Sequence, residues 1–418
     1  MAIVRLRSIL LPIIAGLSLG LLIGTGCKSS STDPNKDDSK IIGIVSSLPR
    51  TGSAKAQTDS IVNGIRMALE EVGNKVGDFT IEYEDLDDAT ASEGQWTPER
   101  EAANAKKAAR DMNVMVYIGP YNSGAAKNSI PILNEANVLM ISPAVTGPGF
   151  TKPGKGAPDE PGIYRKSGKI NFTRVVPADD LQGPLAADWA RSMGAKKVYV
   201  LDDAEVYGKG IATLFGEHAQ KIGLQVLGQQ SIDTKQGEFS GLMGEIKRAN
   251  PDMIYFGGTS QTKAGQIVKD MIAAGLSGDK CFLIVPDGCY EKAFIQAAGA
   301  DAFNSLKVYV TFGGVPPEQL TGKGKNFVDN YKKKYGGMPE GYAVYGYECG
   351  LVAIEAIKKA GKKDRNLIRE SALSIKKFDG ALGLWDFDEN GDTTSTTMSG
   401  SIVKNGDFEF VKLLELKK

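Results

Sequence analysis

The amino-acid sequence predicts an α/β protein of two lobes, each built on a doubly wound parallel sheet. The first observation is that short apolar runs alternate with amphipathic helical stretches, a pattern typical of parallel sheets covered by helices. The second is that this alternation occurs twice, once before and once after a loop at 147–168. The third is the presence of 50 glycines in 418 residues, which suits tight turns between strands and helices.

Residues 1–27 predict an export signal. Arg5 and Arg7 precede an apolar run over 9–23, and small residues then lead to Cys27. A basic segment, a short apolar segment and small residues are the signature of a signal peptide. Proline and glycines interrupt the apolar run, so a permanent transmembrane helix is the weaker interpretation.

Cys27 resembles the cysteine of a bacterial lipobox, which is acylated and becomes the mature N-terminus. Gly24 stands where lipoboxes usually carry Leu, so a plain cleaved signal remains an alternative. Residues 28–40 are polar and without apolar side chains, which predicts a disordered tether. We therefore expect an exported protein, in the periplasm or at the cell surface, anchored to a membrane through Cys27.

The first lobe is predicted from a run of strands and helices after residue 40. A buried run of apolar residues indicates a strand, residues at helical spacing indicate an amphipathic helix, and Thr-Pro marks a helix start. The predicted elements are a strand over Ile41–Ser46, a helix with its apolar stripe from Ile61 to Val72, a strand nearer an edge over Phe79–Asp85, and a helix that begins at Thr97-Pro98.

The most informative stretch is 114–146, VMVYIGPYNSGAAKNSIPILNEANVLMISPAVT. Asn122 or Ser123 stands where a helix N-cap belongs. Turns after neighbouring parallel strands would present backbone N–H groups, hydroxyls and a positive helix end to one crevice. This predicts capture of a small anion such as a carboxylate, because the stretch has no nucleophile–base pair. Its predicted elements are a strand over Val114–Ile118, a helix over Gly124–Ala136 and a strand over Val138–Ile141.

The second lobe is predicted from a second alternating series after the loop Gly147–Gly168, whose Gly, Pro and Lys content indicates a surface loop. The series runs through strands FTRVV from Phe172, KKVYVLDD, LQVLGQQS, MIYFGG, CFLIVPD and Leu306–Thr311, with helices through Trp189, from Tyr207, to Ala249 and near Val268. Three helices follow, Lys323–Tyr335, Tyr342–Lys359 and Asp364–Ser374, and then two closing strands.

Several of these motifs resemble the branched-chain amino-acid (Leu/Ile/Val) binding proteins, the amino-acid branch of the type I periplasmic binding proteins. The resemblance rests on the IGP strand end, the Ser that follows it, NVLMISPAVT, DDAEVYGKG and the late segment YKKKYGGMPEGYAVYGYE. It implies two lobes joined by a three-segment hinge, with crossings near Val176, Thr311 and Gly383. The implied domains are a signal peptide over 1–27, a tether over 28–40, lobe 1 over 41–176 plus 311–383, and lobe 2 over 177–310 plus 384–418.

The resemblance also implies the ligand-binding residues. Ser123 and Thr146 match positions that hold a ligand carboxylate, and Ala144 matches one that contributes backbone groups near the amine. Tyr207 matches the lobe-two tyrosine that stacks over the ligand, and Asp287 matches the acidic residue, usually Glu, that pairs with the ligand ammonium. The alternatives are helix capping by the two hydroxyls, an aromatic that packs a helix start, and a turn-forming Asp-Gly.

Other strand-end positions complete the predicted site, since ligands of open α/β sheets bind at the carboxyl ends of strands. These are Tyr121, Asn122 and Gly288. Gln57 and Thr259 stand where the family often has aromatic residues, which would make the side-chain end of the pocket less apolar. The ligand alternatives are therefore a branched-chain amino acid, a polar amino acid, an amide or urea-like compound, and an aromatic or small carboxylate.

Composition and isolated motifs argue against other functions. Equal numbers of basic and acidic residues, 50 each, offer nothing for nucleic acid or a membrane surface. The acidic run over 386–392 imitates an EF-hand start, but Thr397 stands where the bidentate Glu belongs, so a hairpin turn is favoured. His218 has no nucleophile nearby and is interpreted as a solvated side chain. Cys281 and Cys289 allow either a disulfide or free buried thiols.

The sequence thus predicts a non-enzymatic solute receptor that binds a small amino acid between its lobes and closes like a hinge. No cofactor or metal is expected. The expected partners are the ligand and the membrane permease of an ABC importer, with no nucleic acid and membrane contact only through the lipid anchor. A ligand sensor that feeds a membrane receptor is the alternative.

Overall fold

The computed structural model describes residues 38–278 and 280–415. The predicted signal peptide, Cys27 and most of the predicted tether lie outside these residues. The last three tether positions, Asp38–Lys40, form an exposed 3-10 turn that leads into the first strand, so the prediction of disorder is wrong for them. No helix in the described part of the chain combines the length and the apolar character needed to cross a bilayer.

The first lobe contains a six-stranded sheet with helices on its faces. Its central strand, Ile41–Leu48, is buried along its whole length, as expected of a strand covered on both sides. Its strands are β1 (Ile41–Leu48), β2 (Lys75–Val76), β3 (Phe79–Asp87), β4 (Val114–Ile118), β5 (Leu139–Ser142) and β6 (Phe172–Arg174), and its first helices are α1 (Lys55–Glu71), α2 (Pro98–Arg110) and α3 (Ser123–Glu135).

The second lobe repeats the arrangement with a larger sheet. The predicted strand FTRVV does not belong to it, because Phe172–Arg174 pairs with β5 in the first sheet. Its strands are β7 (Lys197–Asp202), β8 (Gln225–Ser231), β9 (Met253–Gly257), β10 (Phe282–Val285) and β11 (Val308–Gly313). Its helices are α4 (Asp179–Ser192), α5 (Val206–Lys221), α6 (Ser240–Ala249), α7 (Ala264–Ala273), α8 (Lys292–Ala298) and α9 (Ala302–Ser305).

The C-terminal part of the chain contributes to both lobes. Its elements are α10 (Gly322–Tyr335), α11 (Ala343–Ala360), α12 (Arg365–Leu373), the hairpin β12 (Phe378–Gly380) with β13 (Gly383–Trp385), β14 (Met398–Lys404) and β15 (Asp407–Leu414). Helix α11 packs on α1, whereas β14 and β15 join the second sheet.

The strand orders confirm the predicted fold class. The first sheet runs β2-β3-β1-β4-β5-β6 and is parallel except for β2. The second runs β15-β14-β11-β10-β9-β7-β8, with antiparallel β14 and β15 at one edge. In both sheets the chain returns to the centre and builds outwards in both directions, which brings the carboxyl ends of several strands together.

Close contact between α1 and α11 depends on glycine. A Cβ on Gly64 would lie 2.2 Å from the carbonyl oxygen of Ala343, and one on Gly346 would lie 2.2 Å from that of Ile61. Neither distance is possible for a real side chain, so only glycine lets these two helix backbones approach. Helix α11 is therefore an integral part of the first lobe, although it comes late in the chain.

Three predictions of local detail need correction or completion. The predicted surface loop 147–168 contains two 3-10 turns, and it buries the rings of Phe150 and Tyr164 with their centroids 5.3 Å apart. His218 is not simply solvated, because its Nε2 lies 3.3 Å from a carboxylate oxygen of Asp188. Of the two alternatives for the cysteines, a disulfide or free thiols, the structure has free buried thiols at positions 281, 289 and 349.

A buried ion pair joins two segments that pass between the sheets. Arg174, the last residue of β6, is fully buried, and its Nε lies 2.7 Å from Oδ1 of Asp392. The guanidinium also donates to the backbone carbonyls of Gly147 at 2.8 Å and Val145 at 3.1 Å. Asp392 belongs to the acidic run that imitates an EF-hand, and the predicted turn there is confirmed by an antiparallel bridge that closes it.

A second buried acid, Glu348 on α11, gives a testable pH dependence. Its carboxylate accepts from Trp385 Nε1 and Ala381 N, each at 2.7 Å. Burial nevertheless raises its pKa from 4.5 to about 7. A raised pKa in the folded state means that stability is fully present below the unfolded value and is lost as the pH rises through the folded one.

We therefore expect the free energy of unfolding to fall between pH 5 and pH 8, with Glu348 contributing about 3 kcal/mol of that fall. Urea unfolding at both pH values measures it, and Glu348→Gln should make the pH dependence shallower by that amount. Glu389→Gln is a matched control on an exposed turn and should leave the slope unchanged. Equal slopes in Glu348→Gln and the unsubstituted protein would contradict the assignment.

Candidate functional site

The first-lobe half of the site is the start of α3. Asn122 occupies the N-cap position with an extended backbone, but its side chain makes no capping bond. Its amide instead donates to Oε1 of Gln261 in the second lobe at 3.1 Å. The first N–H groups of a helix have no partner within the helix, so the amides that begin at Ser123 are suited to an anionic group.

The hydroxyl of Ser142 fixes the two turns of this half against each other. It donates to the carbonyl of Pro120 at 3.0 Å and accepts from the amides of Ala144 at 3.2 Å and Val145 at 2.9 Å. Ser142 is fully buried, so these bonds are shielded from water. The turn after β4 and the turn after β5 therefore form one rigid wall.

The second-lobe half centres on Asp287, which directly follows β10 and Pro286. Its Oδ1 accepts from the Tyr207 hydroxyl, from Gln182 Nε2 at 3.2 Å and from the amide of Gly288 at 3.1 Å. Its Oδ2 accepts from the hydroxyl of Tyr342, which precedes α11 of the first lobe. One carboxylate thus links groups from both lobes.

Burial dominates the electrostatics of this half. It raises the pKa of Asp287 even though the hydrogen bonds from the two tyrosines, Gln182 and Gly288 oppose the shift. It also raises the pKa of Asp179 well above its usual value, and the negative charge of Asp287 adds to the effect. Two carboxyl groups that lie close together away from water favour a bound positive charge.

Within the second-lobe half, the turns after the strands pack closely around Gly288. A Cβ on Gly288 would lie 2.9 Å from Cγ2 of Thr259 and 3.0 Å from Cε1 of Tyr207. Thr259 itself is held by Thr262, whose hydroxyl accepts from its backbone N–H at 2.8 Å and donates to Asp203 at 2.6 Å. The strand ends β7, β9 and β10 therefore form one continuous surface.

Most of the sequence-predicted residues surround a single cavity, whose volume counted together with the open solvent at its mouth is about 290 Å³. Gln57 and Thr146 do not line it. Gln57 is buried, donates to the carbonyl of Tyr290 at 3.1 Å and accepts from the amide of Tyr342 at 3.0 Å. The lining consists of Tyr121, Asn122, Ser123, Ala144, Tyr207, Thr259, Asp287, Gly288 and Tyr342.

Tyr342 is the lining residue that the sequence interpretation missed. Its ring lies edge-on to that of Tyr121, with the centroids 5.9 Å apart. It does not follow a strand, so a search of strand ends does not find it. Tyr342 belongs to the stretch GMPEGYAVYG, which resembles the family. An aromatic residue at the start of a helix is the feature of the sequence that could have identified it.

The arrangement can bind a small zwitterion. The unpaired amides at the start of α3 and the Ser123 hydroxyl suit a carboxylate, and Asp287 with its tyrosine partners suits an ammonium. Within residues 38–278 and 280–415, no cluster of His, Cys, Asp and Glu could hold a metal ion.

Comparisons with known proteins agree with this geometry. The family described as periplasmic binding protein matches residues 42–407 of the chain. A leucine-, isoleucine-, valine-, threonine- and alanine-binding protein of Pseudomonas aeruginosa is 28% identical over 355 residues, which cover 84% of this chain and 87% of that protein. A Leu/Ile/Val-binding protein homolog of Brucella suis is 27% identical over 358 residues, with the same coverage of 84% and 87%.

A solved structure extends the likeness to three dimensions. The crystal structure of a leucine binding protein from Thermotoga maritima is 28% identical and superposes with a TM-score of 0.77. The match covers 89% of this chain and 98% of that one. The similarity therefore includes both lobes and the strand ends that surround the cavity.

Proposed function

Because this chain belongs to the periplasmic binding protein family, we propose that it is the extracytoplasmic solute receptor of an ABC importer. Its ligand is a small α-amino acid of branched-chain size, held between the lobes, and it catalyses no reaction. The lobes close on the ligand like a hinge. The names of the relatives support the ligand class, since one is a leucine-, isoleucine-, valine-, threonine- and alanine-binding protein and the other a homolog of a Leu/Ile/Val-binding protein.

One observation carries this proposal. Ser123 at a helix start of the first lobe and Asp287 at a strand end of the second line the same cavity. Every α-amino acid carries a carboxylate and an ammonium a fixed distance apart, and the cavity offers a donor set for one and an acceptor for the other. Because the two groups are bound by different lobes, a receptor that binds both at once needs both lobes. Ligand binding is therefore coupled to closure.

Each end of the ligand is bound by different side chains. We infer that the ligand carboxylate takes its hydrogen bonds from the Ser123 hydroxyl and the first amides of α3. The ammonium pairs with Asp287, and the ring of Tyr207 covers this end. Thr146 does not line the cavity, and its backbone carbonyl accepts from Asp179 N at 2.9 Å. Its proposed role is therefore to join the turn after β5 to the start of α4.

The same proposal includes the domain boundaries and the partners. Lobe 1 comprises 41–176 plus 311–383, and lobe 2 comprises 177–310 plus 384–418. Sheet membership supports the first and last of these boundaries, since β6 ends the first sheet at Arg174 and β14 joins the second after residue 383. The middle boundary at 310/311 falls inside β11, which pairs with β14 in the second sheet as far as Gly313, so the crossing back to lobe 1 is better placed after Gly313. The closed receptor docks on a membrane permease, and acylated Cys27 holds it at the membrane surface.

Titration of the purified protein with amino acids tests the proposal. Ligand carried through purification is first removed by unfolding and refolding, and binding is then measured by calorimetry. We expect leucine, isoleucine or valine to bind, and Ser123→Ala to weaken binding about 10-fold because a charge-assisted hydrogen bond is lost.

The control variant is Ser240→Ala, because Ser240 also begins a helix but lies exposed on α6, away from the cavity. It should bind like the unsubstituted protein. If no α-amino acid binds, the proposed ligand class is wrong. If amino acids bind but Ser123→Ala has no effect, the carboxylate lies elsewhere.

A further inference from the structure

A second cavity adjoins the first at the start of α3 and is lined by residues of both lobes. Four lining residues are common to the two cavities, and one of them is Ser123. The second cavity therefore lies next to the position proposed for the ligand carboxylate. Its first-lobe wall includes Trp96 and Gly124, and its second-lobe wall includes Asp203 and Glu205. Of the described residues that line only the second cavity, Trp96 alone is large and apolar.

The indole of Trp96 lies against the backbone of α3. A Cβ on Gly124, the second residue of this helix, would lie 2.4 Å from Cζ2 of the indole and 2.8 Å from its Cη2. Both distances are too short for a side chain, so the glycine is what allows the ring to approach the helix. The amides at positions 123 and 124 are among the first N–H groups of α3, which have no partner within the helix. The indole is thus placed beside the donors proposed for the ligand carboxylate.

The loop that carries Trp96 is held by its own hydrogen bonds. An antiparallel bridge joins Trp96 to Ala89, and the amide of Thr97 donates to the carbonyl of Asp88 at 2.9 Å. Thr97 also caps α2, since its hydroxyl accepts from the amide of Arg100 at 3.3 Å. All of these bonds lie within the first lobe. The position of the indole is therefore fixed independently of the second lobe.

The second lobe presents carboxyl groups to the same cavity. Asp203 is buried, and its two oxygens accept from the Thr262 hydroxyl at 2.6 Å and from the amide of Glu205 at 3.0 Å. Carboxyl groups offer no positive charge to an anion, and none of the described residues that line this cavity is a Lys, Arg or His. A ligand carboxylate at this end can therefore be bound only from the α3 side, where the indole lies.

Resting on the amino-acid receptor proposed above, we infer that Trp96 is a further positioning and specificity-determining residue. Its indole covers the carboxylate end of the bound ligand and keeps water from the hydrogen bonds that Ser123 and the first amides of α3 donate. Hydrogen bonds to a charged group are weaker where water has access, and contacts that exclude water protect them. The ring also leaves no room for a substituent on the carboxyl group. The receptor then selects amino acids with a free carboxylate over their esters.

A matched pair of ligands tests this inference: the tightest binder among leucine, isoleucine and valine, and the methyl ester of the same amino acid. We expect the refolded protein to bind the ester at least about 100-fold more weakly, because the ester lacks the charge and its methyl group meets the indole. Trp96→Ala admits water and makes room for the methyl group. It should weaken binding of the amino acid about 10-fold, while the ester binds as well as before or more tightly. Calorimetry and competition give the dissociation constants.

Tryptophan fluorescence gives a second measurement, which does not require loss of the ring. The other two tryptophans lie away from both cavities, since Trp189 packs on Gly400 in the second lobe and Trp385 donates to Glu348. Binding of the amino acid should therefore change the emission of Trp96 and its quenching by acrylamide. Trp96→Phe keeps an aromatic cover, so it should retain most of the affinity and lose the fluorescence change. Trp189→Phe should keep both.

Glu93→Gln is the matched control, because Glu93 lies exposed on the same loop and does not line either cavity. It should bind both ligands like the unsubstituted protein. An amino-acid affinity that Trp96→Ala leaves unchanged, equal losses for both ligands, an ester that still does not bind this variant, or unchanged fluorescence on binding would each show that the role of Trp96 is wrong, while the receptor proposal stands. If none of the three amino acids binds, the receptor proposal falls and the role of Trp96 falls with it. A loss in Trp96→Ala confined to the ligand with a free carboxylate, with the fluorescence change absent from Trp96→Phe, supports the inference.

Discussion

Asp287→Asn is expected to raise the dissociation constant for a zwitterionic amino acid roughly 100-fold, about 3 kcal/mol, because it removes the carboxylate with which the buried ligand ammonium pairs. The substitution keeps the size of the side chain. It also places an amide donor among groups that all donate to the carboxylate, namely Tyr207, Tyr342 and Gln182. Calorimetric titration of both proteins measures the change.

A ligand without an amino group provides the control for Asp287→Asn. A branched carboxylic acid of the same carbon skeleton should bind the unsubstituted protein weakly, and the variant should bind it no more weakly. The difference in affinity between the amino acid and the carboxylic acid should therefore be much smaller in the variant than in the unsubstituted protein. Equal losses for both ligands would mean that the substitution disturbs the cavity as a whole, and that Asp287 does not read the ammonium.

The second large effect is expected from Arg174→Met, which should reduce the free energy of unfolding by about 3–5 kcal/mol, as breaking one side of a buried ion pair does. The substitution leaves Asp392 buried without its 2.7 Å partner and removes the donor to the carbonyls of Val145 and Gly147. Urea unfolding, followed by the intrinsic fluorescence of the tryptophans, measures the loss.

Two comparisons separate the buried pair from ordinary charge effects. Lys152→Met removes another cation near Asp392, but Lys152 is 27% exposed and its Nζ lies 3.6 Å from that carboxylate, so the loss should stay below about 1 kcal/mol. The double variant Arg174→Met, Asp392→Leu should be more stable than Arg174→Met alone. If it is less stable, the cost does not arise from the unpaired Asp392.

Much of the site could be predicted because its position follows from a general property of parallel sheets. Ser123, Tyr207 and Asp287 all follow strands, and the ends of neighbouring parallel strands meet at one edge. An apolar run that stops at Gly, Pro or Asp shows in the sequence where each strand ends. The fold class was predictable for the same reason, since the alternation of strands and helices is a local pattern.

The remainder depends on contacts between distant parts of the chain. Tyr342 reaches the cavity only because α11 packs on α1, and this contact leaves no periodic signal near Tyr342. Gln57 was expected at the side-chain end of the ligand, but its amide is bonded to the backbone of Tyr290 and Tyr342. The sequence identifies an amide at this position, but only the assembled structure shows which groups take its hydrogen bonds.

The glycine-dependent contact between α1 and α11 also constrains the order in which the polypeptide can mature. Helix α1 is among the first structures made, yet the surface that covers it comes from 343–360. A nascent chain that has passed a membrane only as far as residue 340 would present the backbone of Gly64 and the side chain of Ile61 to water. Pairing of distant segments is slow, so completion of the first lobe must wait for α11 to emerge. We expect translocation of the C-terminal third, rather than synthesis of the N-terminal half, to set the moment at which the receptor becomes protease-resistant.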